Sequence, residues 1–256
     1  MMNWEGKEEP GTTNKGPNRI DYEKLNEAFI KEQEQFLFNN KSENIANVLR
    51  KAIIHMELPP ETRINVSKLS RSLDVSRTPV NDALAALVQE GLIVSGEDSN
   101  VSVSKMNISN LLAICDARAA IEGGAAYLAA SFISTPALEH LKELSQRYMD
   151  SVLSENPAKF HEHAFLDDEF HMTLVKASEN PYLIKAYLVL RTQLLRYRFS
   201  LSEINSQVNV VSVMEMSANT HWGIYNALNL RMATTAKSEA ERDSKNMHSI
   251  FTTLLK

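Results

Sequence analysis

The stretch at residues 75–92, VSRTPVNDALAALVQEGL, constrains the fold more than any other part of the chain. Ser76 is a residue type that favours a helix N-cap, and Pro79 is tolerated near the first turn, where no intrahelical N–H bond is lost. Apolar residues follow at helical spacing, and Gly91 suits the left-handed conformation in which many helices end. The pattern predicts a short helix that packs through one apolar face and leaves its polar N-terminal end free.

The segments around this helix complete the order of a winged helix-turn-helix. A helix over residues 42–56, with Ser42 as its N-cap, precedes a second helix over residues 66–73. After the central helix, the β-type runs at 92–94 and 101–103 predict a two-stranded hairpin, or wing. A domain of this kind places the N-terminal end of its third helix in the major groove of DNA.

Composition excludes some classes of protein. The formal net charge of −5 argues against a protein that coats nucleic acid, but residues 63–77 carry four basic residues against one acid, and a specific DNA binder needs only such a local patch. No apolar run approaches the roughly 20 residues that span a bilayer, so we expect no membrane partner. A single cysteine, Cys115, and the lack of a secretory signal fit a cytoplasmic protein, with Cys115 as a small buried hydrophobe.

Residues 1–40 are interpreted as an N-terminal extension. Residues 1–19 are polar, with Gly, Pro, Asn and Thr, which predicts disorder. Residues 20–38 have helical periodicity, with Leu25, Phe29 and Phe36 on a broad apolar side. This helix is either an extra element that docks on the body or the start of the next helix.

After the DNA-binding domain, assigned to residues 41–105, residues 106–256 show no strand pattern. Segments of helical periodicity lie at residues 108–133, 136–153, 157–178, 181–203, 207–230 and 235–255. Thr135 is the expected cap of the second segment, and Pro181 suits the first turn of the fourth. The predicted fold is therefore mostly α, with an N-terminal winged helix-turn-helix domain plus a C-terminal all-α helical bundle.

Motifs in both halves make the chain resemble the GntR family of bacterial transcription regulators, in the subgroup whose C-terminal domain is the all-helical, FadR-type FCD domain. The resemblance implies that residues 106–256 bind an effector and dimerise. In the DNA-binding half, Asn81 replaces the family's usual basic residue, and the wing tip at 96–100 is acidic. The motifs that carry the resemblance are Leu58-Pro59-Pro60, Val75-Ser76-Arg77-Thr78-Pro79-Val80, Glu90-Gly91-Leu92, Arg118-x-x-Ile121-Glu122, Asp167-x-x-Phe170-His171, Asn180-Pro181-x-Leu183 and His221-x-x-Ile224.

The DNA contacts are predicted at the N-terminal ends of two helices. The predicted set is Arg77, Thr78, Asn81, Ser67, Lys68 and Arg71. Arg77 is the best candidate for base readout, because a guanidinium reaches O6 and N7 of guanine together. Asn81 lies one turn on and reads an adenine or bridges a phosphate. The other four suit phosphate contacts, although any one of them alone is more often a solvated surface residue.

A metal site is predicted inside the helical half. Asp167 and His171 are four residues apart and share a helix face beside apolar residues, and His221 faces inward with Ile224. An inward Asp with two inward His suits a divalent cation such as Zn, Ni or Mn. The resemblance implies the same, with a metal held by one Asp and three His. Each histidine taken alone is more often a hydrogen-bonded core residue.

The fourth ligand is where the chain departs from the family. The family places its last histidine 22 residues after the one that matches His221, and this position holds Asp243. His248 is the rival, but a step of five residues turns about 140° around a helix, so both cannot face inward. The apolar stripe favours Asp243 as the inward residue. A carboxylate there would shift the preference towards harder ions such as Mn or Mg.

By resemblance, Arg118 faces the ligand cavity, where it could clamp a carboxylate bidentately. The alternative is a surface pair between Arg118 and Glu122. Arg191, Arg196 and Arg198 are expected to be solvated. The implied effector is a small organic acid, such as a sugar acid or a hydroxy acid.

The leading hypothesis is a ligand-responsive transcriptional regulator. A homodimer would bind near-palindromic operator DNA and act as a repressor that a small carboxylate releases. One alternative is a metal-dependent hydrolase-type enzyme in which the Asp/His cluster activates a metal-bound water. No catalytic motif supplies a general base, so we expect no enzyme. Another alternative is a sensor that has lost its ligand.

Overall fold

The computed structural model describes residues 20–96, 100–153, 160–203 and 210–254. The segment predicted to be disordered, 1–19, and residues 97–99 of the acidic wing tip lie outside the described part. Within that part the chain forms ten helices and one three-stranded sheet, which confirms the mostly α prediction. None of the described helices is both long and apolar enough to cross a membrane.

The N-terminal half is a winged helix-turn-helix domain. Its elements are α1 (Tyr22–Gln35), α2 (Lys41–Ile54), β1 (Arg63–Ile64), α3 (Val66–Ser72), α4 (Arg77–Gln89), β2 (Ile93–Ser95) and β3 (Val101–Val103). The sheet is antiparallel with the order β1-β3-β2, and Ser102 lies opposite Arg63 on one side and Val94 on the other. The wing therefore forms as predicted, and β1 adds a third strand that had no counterpart among the predicted ones.

Helix α1 docks on the DNA-binding domain. Leu25 and Phe29 are buried in the same core as α2, α3 and α4. Glu32, 4% exposed, pairs with Lys51 of α2 at 2.6 Å. Of the two alternatives for this segment, the structure thus has the separate docked helix. The helix ends before Phe36, which was expected on its apolar side but is exposed, because the chain has already left the helix there.

Two helix caps differ from those predicted. The N-cap of α2 is Asn40, not Ser42, because a capping box forms in which Asn40 Oδ1 accepts from the N–H of Glu43 at 2.9 Å and Glu43 Oε2 accepts from the N–H of Asn40 at 3.1 Å. Before α6, the Ser134 hydroxyl accepts from the N–H of Ala137 at 3.4 Å, so Ser134 takes the role expected of Thr135.

The C-terminal half is an all-α bundle whose helices fall on the predicted segments. They are α5 (Ile108–Phe132), α6 (Thr135–Leu153), α7 (Phe160–Lys176), α8 (Pro181–Glu203), α9 (Val210–Asn229) and α10 (Ala233–Leu254). The main core contains Phe170, Leu174, Ile224 and Leu228, which bring α7 and α9 together. Helix α10 packs closely on α5, since a Cβ on Gly123 would lie 2.9 Å from the Glu241 side chain.

The two domains share a small apolar contact. Ile54 at the end of α2 packs against Ala164 of α7 and against Leu195 and Phe199 of α8. Next to it, the His55 ring lies 4.6 Å from the Phe199 ring. This contact brings α8 beside the DNA-binding domain.

Candidate functional site

The polar face of α4 lies at the surface of the DNA-binding domain. Arg77, Thr78 and Asn81 are exposed near its N-terminal end, whereas Val80 is buried. Ser76 is the N-cap residue as predicted, but its side chain makes no capping bond. The first N–H groups of α4 therefore stay open to an anion such as a phosphate.

A groove of about 950 Å³ runs between α4, the start of α3 and the wing. Arg77, Asn81 and Ser67 line it, and so does Arg63 on β1. Arg63 was not among the predicted contacts, although it belongs to the basic run at 63–77. The remaining predicted contacts are exposed but do not line the groove, and they are Thr78, Lys68 and Arg71.

A second candidate site lies inside the helical bundle. It gathers seven ionisable side chains, each at most 9% exposed, from five helices. They are Arg118 and Glu122 of α5, Asp167 and His171 of α7, Arg198 of α8, His221 of α9 and Asp243 of α10. We call this group the ionic cluster.

Three donor atoms of the ionic cluster, from Asp167, His171 and His221, converge, and Asp243 approaches them at His171. His171 Nε2 lies 3.2 Å from His221 Nε2 and 3.3 Å from Asp243 Oδ2. Asp167 Oδ1 lies 3.6 Å from His171 Nε2 and 3.3 Å from His221 Nε2. Donor atoms at the corners of a tetrahedron, each about 2.0–2.2 Å from a zinc ion, are about 3.3–3.6 Å apart. Asp167, His171 and His221 therefore fit a divalent metal ion, and Asp243 beside His171 is the candidate fourth ligand.

Asp243 and His248 occupy different environments. Asp243 is 1% exposed, and its Oδ1 accepts from the Thr220 hydroxyl at 2.5 Å. His248 is half-buried and does not belong to any group of converging ligand atoms in the described part of the chain. Asp243, and not His248, therefore lies beside the candidate ligand His171, and the helical step of about 140° turns the two residues to different sides of α10.

Glu122 supports His171 from the side away from the converging donors. Its Oε2 lies 3.1 Å from His171 Nδ1. A carboxylate beside the far nitrogen of a metal-binding imidazole fixes the ring and raises its basicity. Glu122 Oε1 also accepts from Arg118 Nε at 2.8 Å. The i,i+4 pair between Arg118 and Glu122 therefore forms, but both residues are fully buried and the pair does not lie at the surface.

The Arg118 guanidinium reaches the atoms that would hold a metal. Its Nη2 lies 2.7 Å from Asp243 Oδ2 and 2.5 Å from His171 Nε2. Because the Nε2 lone pair serves one partner at a time, Arg118 and a metal ion would compete for His171. Arg118 Nη1 is buried and makes no hydrogen bond to any described residue. This N–H group remains free for an acceptor on a ligand.

The charges of the cluster determine its protonation. Burial opposes ionisation of Glu122, Asp167 and Asp243, but neighbouring guanidinium and imidazole groups hold the pKa of each carboxyl below its usual range. Burial and Arg118 lower the pKa of His171, but the nearby carboxylates outweigh them and raise it to about 10. A proton is therefore a further competitor for His171.

The arginines of α8 were expected to be solvated, and for two of them this is wrong. Arg198 is buried in an ion pair with Asp167, and Arg196 is fully buried. Arg191 is 39% exposed and donates to both carboxylate oxygens of Asp168, at 2.6–3.0 Å. The reason is that α8 runs between the bundle and the DNA-binding domain, which cover it on both sides.

Comparisons with known proteins agree with both halves of the chain. Residues 41–101 match the GntR family of bacterial regulatory proteins, and residues 113–242 match the FCD domain. This chain is a GntR-family transcriptional regulator. Regulators of this family bind operator DNA and dimerise, and the FCD domain binds small-molecule effectors.

Similar proteins include both a transcriptional repressor and a transcriptional activator. The HTH-type transcriptional repressor RspR of Escherichia coli K12 is 26% identical over 190 residues, which cover 74% of this chain and 79% of RspR. The Glc operon transcriptional activator of the same organism is 24% identical over 213 residues, covering 75% and 81%. The solved structure of E. coli McbR/YncC has a TM-score of 0.67 at 18% identity, covers 86% of this chain and all of that one, and shares the fold.

In this GntR-family regulator, α8 contacts both the ionic cluster and the elements that carry the DNA-binding groove. Its Arg198 belongs to the ionic cluster. Gln193, on the same helix, donates through Nε2 to the carbonyl of Glu90, the C-cap residue of α4, at 3.0 Å. Arg196 donates to the Ser104 hydroxyl at 2.7 Å, just beyond β3 of the wing. A displacement of α8 would therefore reach the far end of the recognition helix and the base of the wing.

Proposed function

We propose that this regulator is a homodimeric repressor that a small carboxylate releases from a near-palindromic operator, with a divalent metal ion in the ionic cluster. The observation that carries the proposal is the position of α8. One helix contacts Asp167 through Arg198 and the C-cap of α4 through Gln193. Any ligand that changes the cluster would act on the helix that holds the DNA-binding domain.

At the operator, Arg77 and Asn81 read bases while Arg63 and Ser67 contact the backbone from the walls of the same groove. Arg63 takes over part of the positive charge that Asn81 does not supply. A dimer with two such domains would bind two half-sites related by a two-fold axis, which is why we propose a near-palindrome.

In the effector domain, Asp167, His171, His221 and Asp243 would hold the metal, which when bound would act as a Lewis acid that attracts a carboxylate. Glu122 keeps the His171 ring in place. Arg118 would give up His171 and clamp the acid through its free Nη1 group. The mix of two carboxylates and two imidazoles suits Mn or Zn.

We favour repression over activation because Gln193 and Arg196 tie α8 to the recognition helix and to the base of the wing. An acid that moves Arg198 would disturb both contacts and lower the affinity for DNA. Such an effect requires the acid to bind the DNA-free arrangement more tightly than the DNA-bound one.

The test is operator binding measured by fluorescence anisotropy. Duplexes selected in vitro from a random library provide the operator, and the protein is titrated with MnCl2 alone, with gluconate or lactate alone, and with both. We expect weaker DNA binding only with metal and acid together. An affinity for DNA that rises with both would make the protein an activator of binding, and an unchanged affinity would contradict the proposed effector class.

Two further measurements on the same samples address the alternatives. Metal content of the purified protein, measured by mass spectrometry, distinguishes a metal-dependent sensor from one that has lost its ligand. Nuclear magnetic resonance of the acid after incubation shows whether it is recovered unchanged, as a regulator requires, or converted, as the metal-dependent hydrolase alternative requires.

A further inference from the structure

The ionic cluster is closed to solvent, so its net charge limits what it can bind. Two guanidinium groups, from Arg118 and Arg198, face the carboxylates of Glu122, Asp167 and Asp243. The nearby acid Asp168 has its own partner in Arg191 and adds no charge to this sum. With the neutral imidazoles that a bound metal ion requires, the side chains of the cluster together carry a net charge of −1.

A divalent metal changes the sign of this charge. With the ion bound to neutral imidazoles, the cluster carries +1, and a ligand with one negative charge makes it neutral. A ligand with two negative charges returns it to −1. In a buried site an uncompensated charge is costly, because no water is present to solvate it.

A buried phenol beside the cluster also favours a ligand with a single negative charge. Tyr187 on α8 is fully buried, its hydroxyl makes no hydrogen bond to any described residue, and its electrostatic neighbours are Glu122, Arg198 and Arg118. A hydroxyl or keto oxygen on the ligand satisfies this phenol without adding charge. A second carboxylate would instead lie near Glu122.

We infer that the metal-loaded ionic cluster selects acids with a single negative charge, hydroxy or keto monocarboxylates, and rejects dicarboxylates of the same shape. The inference rests on the proposed function, and it depends on Asp243. A neutral histidine at this position would leave the metal-bound cluster at +2, which a dicarboxylate would neutralise. The departure of this chain from the family's ligand set thus sets the charge of its effector.

The test compares acids that differ in charge and little in shape. Malate and its singly charged monoamide, malamate, form one pair, and glucarate and gluconate form a second. Isothermal titration calorimetry of the full-length, Mn-loaded protein should show that the singly charged member of a pair binds at least about tenfold more tightly. The chelator-treated protein, whose cluster lacks the two positive charges of the metal ion, should bind neither member.

Two charge variants of the same protein test whether the charge of the cluster sets the preference between the acids. Glu122→Gln raises the cluster charge by one without removing a proposed metal ligand, so the preference for the singly charged acid should fall by at least about tenfold. Asp116→Asn removes the same charge from an exposed position on α5 and should leave the ratio unchanged. Metal content is measured in each variant. The ratio of the affinities for the two acids cancels any loss of affinity that is common to both.

The outcomes separate the inference from the proposed function. Equal or tighter binding of the dicarboxylate in the Mn-loaded wild type would overturn the inference and leave the carboxylate-responsive regulator intact. Binding of neither member of either pair would overturn the proposed effector class, and the inference with it.

Discussion

Replacement of Arg198 by methionine tests whether Asp167 serves a metal ion. The two side chains form an ion pair in which they are 7% and 8% exposed. Removal of one partner of a buried pair leaves the other charge uncompensated, at a cost of about 3–5 kcal/mol. We expect the metal-free Arg198→Met protein to lose about this much free energy of unfolding.

A bound divalent cation would supply the countercharge that Asp167 has lost. The variant should therefore bind Mn more tightly than the wild type, and saturating MnCl2 should recover about 1–2 kcal/mol of the loss. The assay is urea unfolding with chelator or with MnCl2, followed by fluorescence of Trp222, which lies on α9 beside His221 and reports on the bundle.

Arg191→Met is the matched control on the same helix. Arg191 pairs with Asp168, which is not a candidate ligand, and Arg191 is 39% exposed. Its removal should cost about 1 kcal/mol, and equally with and without Mn. If the loss in Arg198→Met is also the same in both conditions, Asp167 is not a metal ligand and the reasoning is refuted.

Three further predictions follow from the two sites. Arg77→Ala should weaken specific operator binding by about 1–3 kcal/mol and change binding to random DNA much less. If a competition assay finds that the variant still discriminates operator from random DNA as well as the wild type does, Arg77 does not read bases. Arg63→Ala should reduce the slope of log K against log salt concentration by about 0.9, whereas Lys31→Ala on the exposed side of α1 should leave it unchanged. Burial raises the pKa of Cys115 to about 11, so at pH 8 only about one thiol in a thousand is ionised. Iodoacetamide should therefore label the native protein very slowly and the urea-unfolded protein readily. Fast labelling of the native protein would contradict this prediction.

Much of the architecture could be predicted because it depends on local signals. Helical periodicity and breaks such as Asn180-Pro181 located the C-terminal helices, since proline is suited to the first turn of a helix and not to its interior. The inward position of Asp243 followed from the apolar stripe on its side of the helix, and the angle between Asp243 and His248 meant that only one of them could face inward. These inferences need no knowledge of how the helices pack.

The features that sequence reasoning missed depend on tertiary packing. Arg196 and Arg198 look like solvated residues until α8 is placed between the two domains. Glu122 gains its contact with His171 only when α5 and α7 come together. Arg63 joins the groove through β1, a strand of two residues that forms only because the wing strand β3 lies beside it. Caps were misjudged by one or two residues because neighbouring polar side chains compete for the same N–H groups.

The central claim is that acid in the ionic cluster and operator DNA on α4 are coupled through α8. Coupling between two ligands is reciprocal, so the most direct measurement is the affinity of the Mn-loaded protein for a binding acid, measured by calorimetry with and without saturating operator. The account predicts that operator DNA weakens acid binding by the same factor by which the acid weakens operator binding, in the range of about 5–150-fold. An acid affinity that is identical on free and operator-bound protein would contradict it.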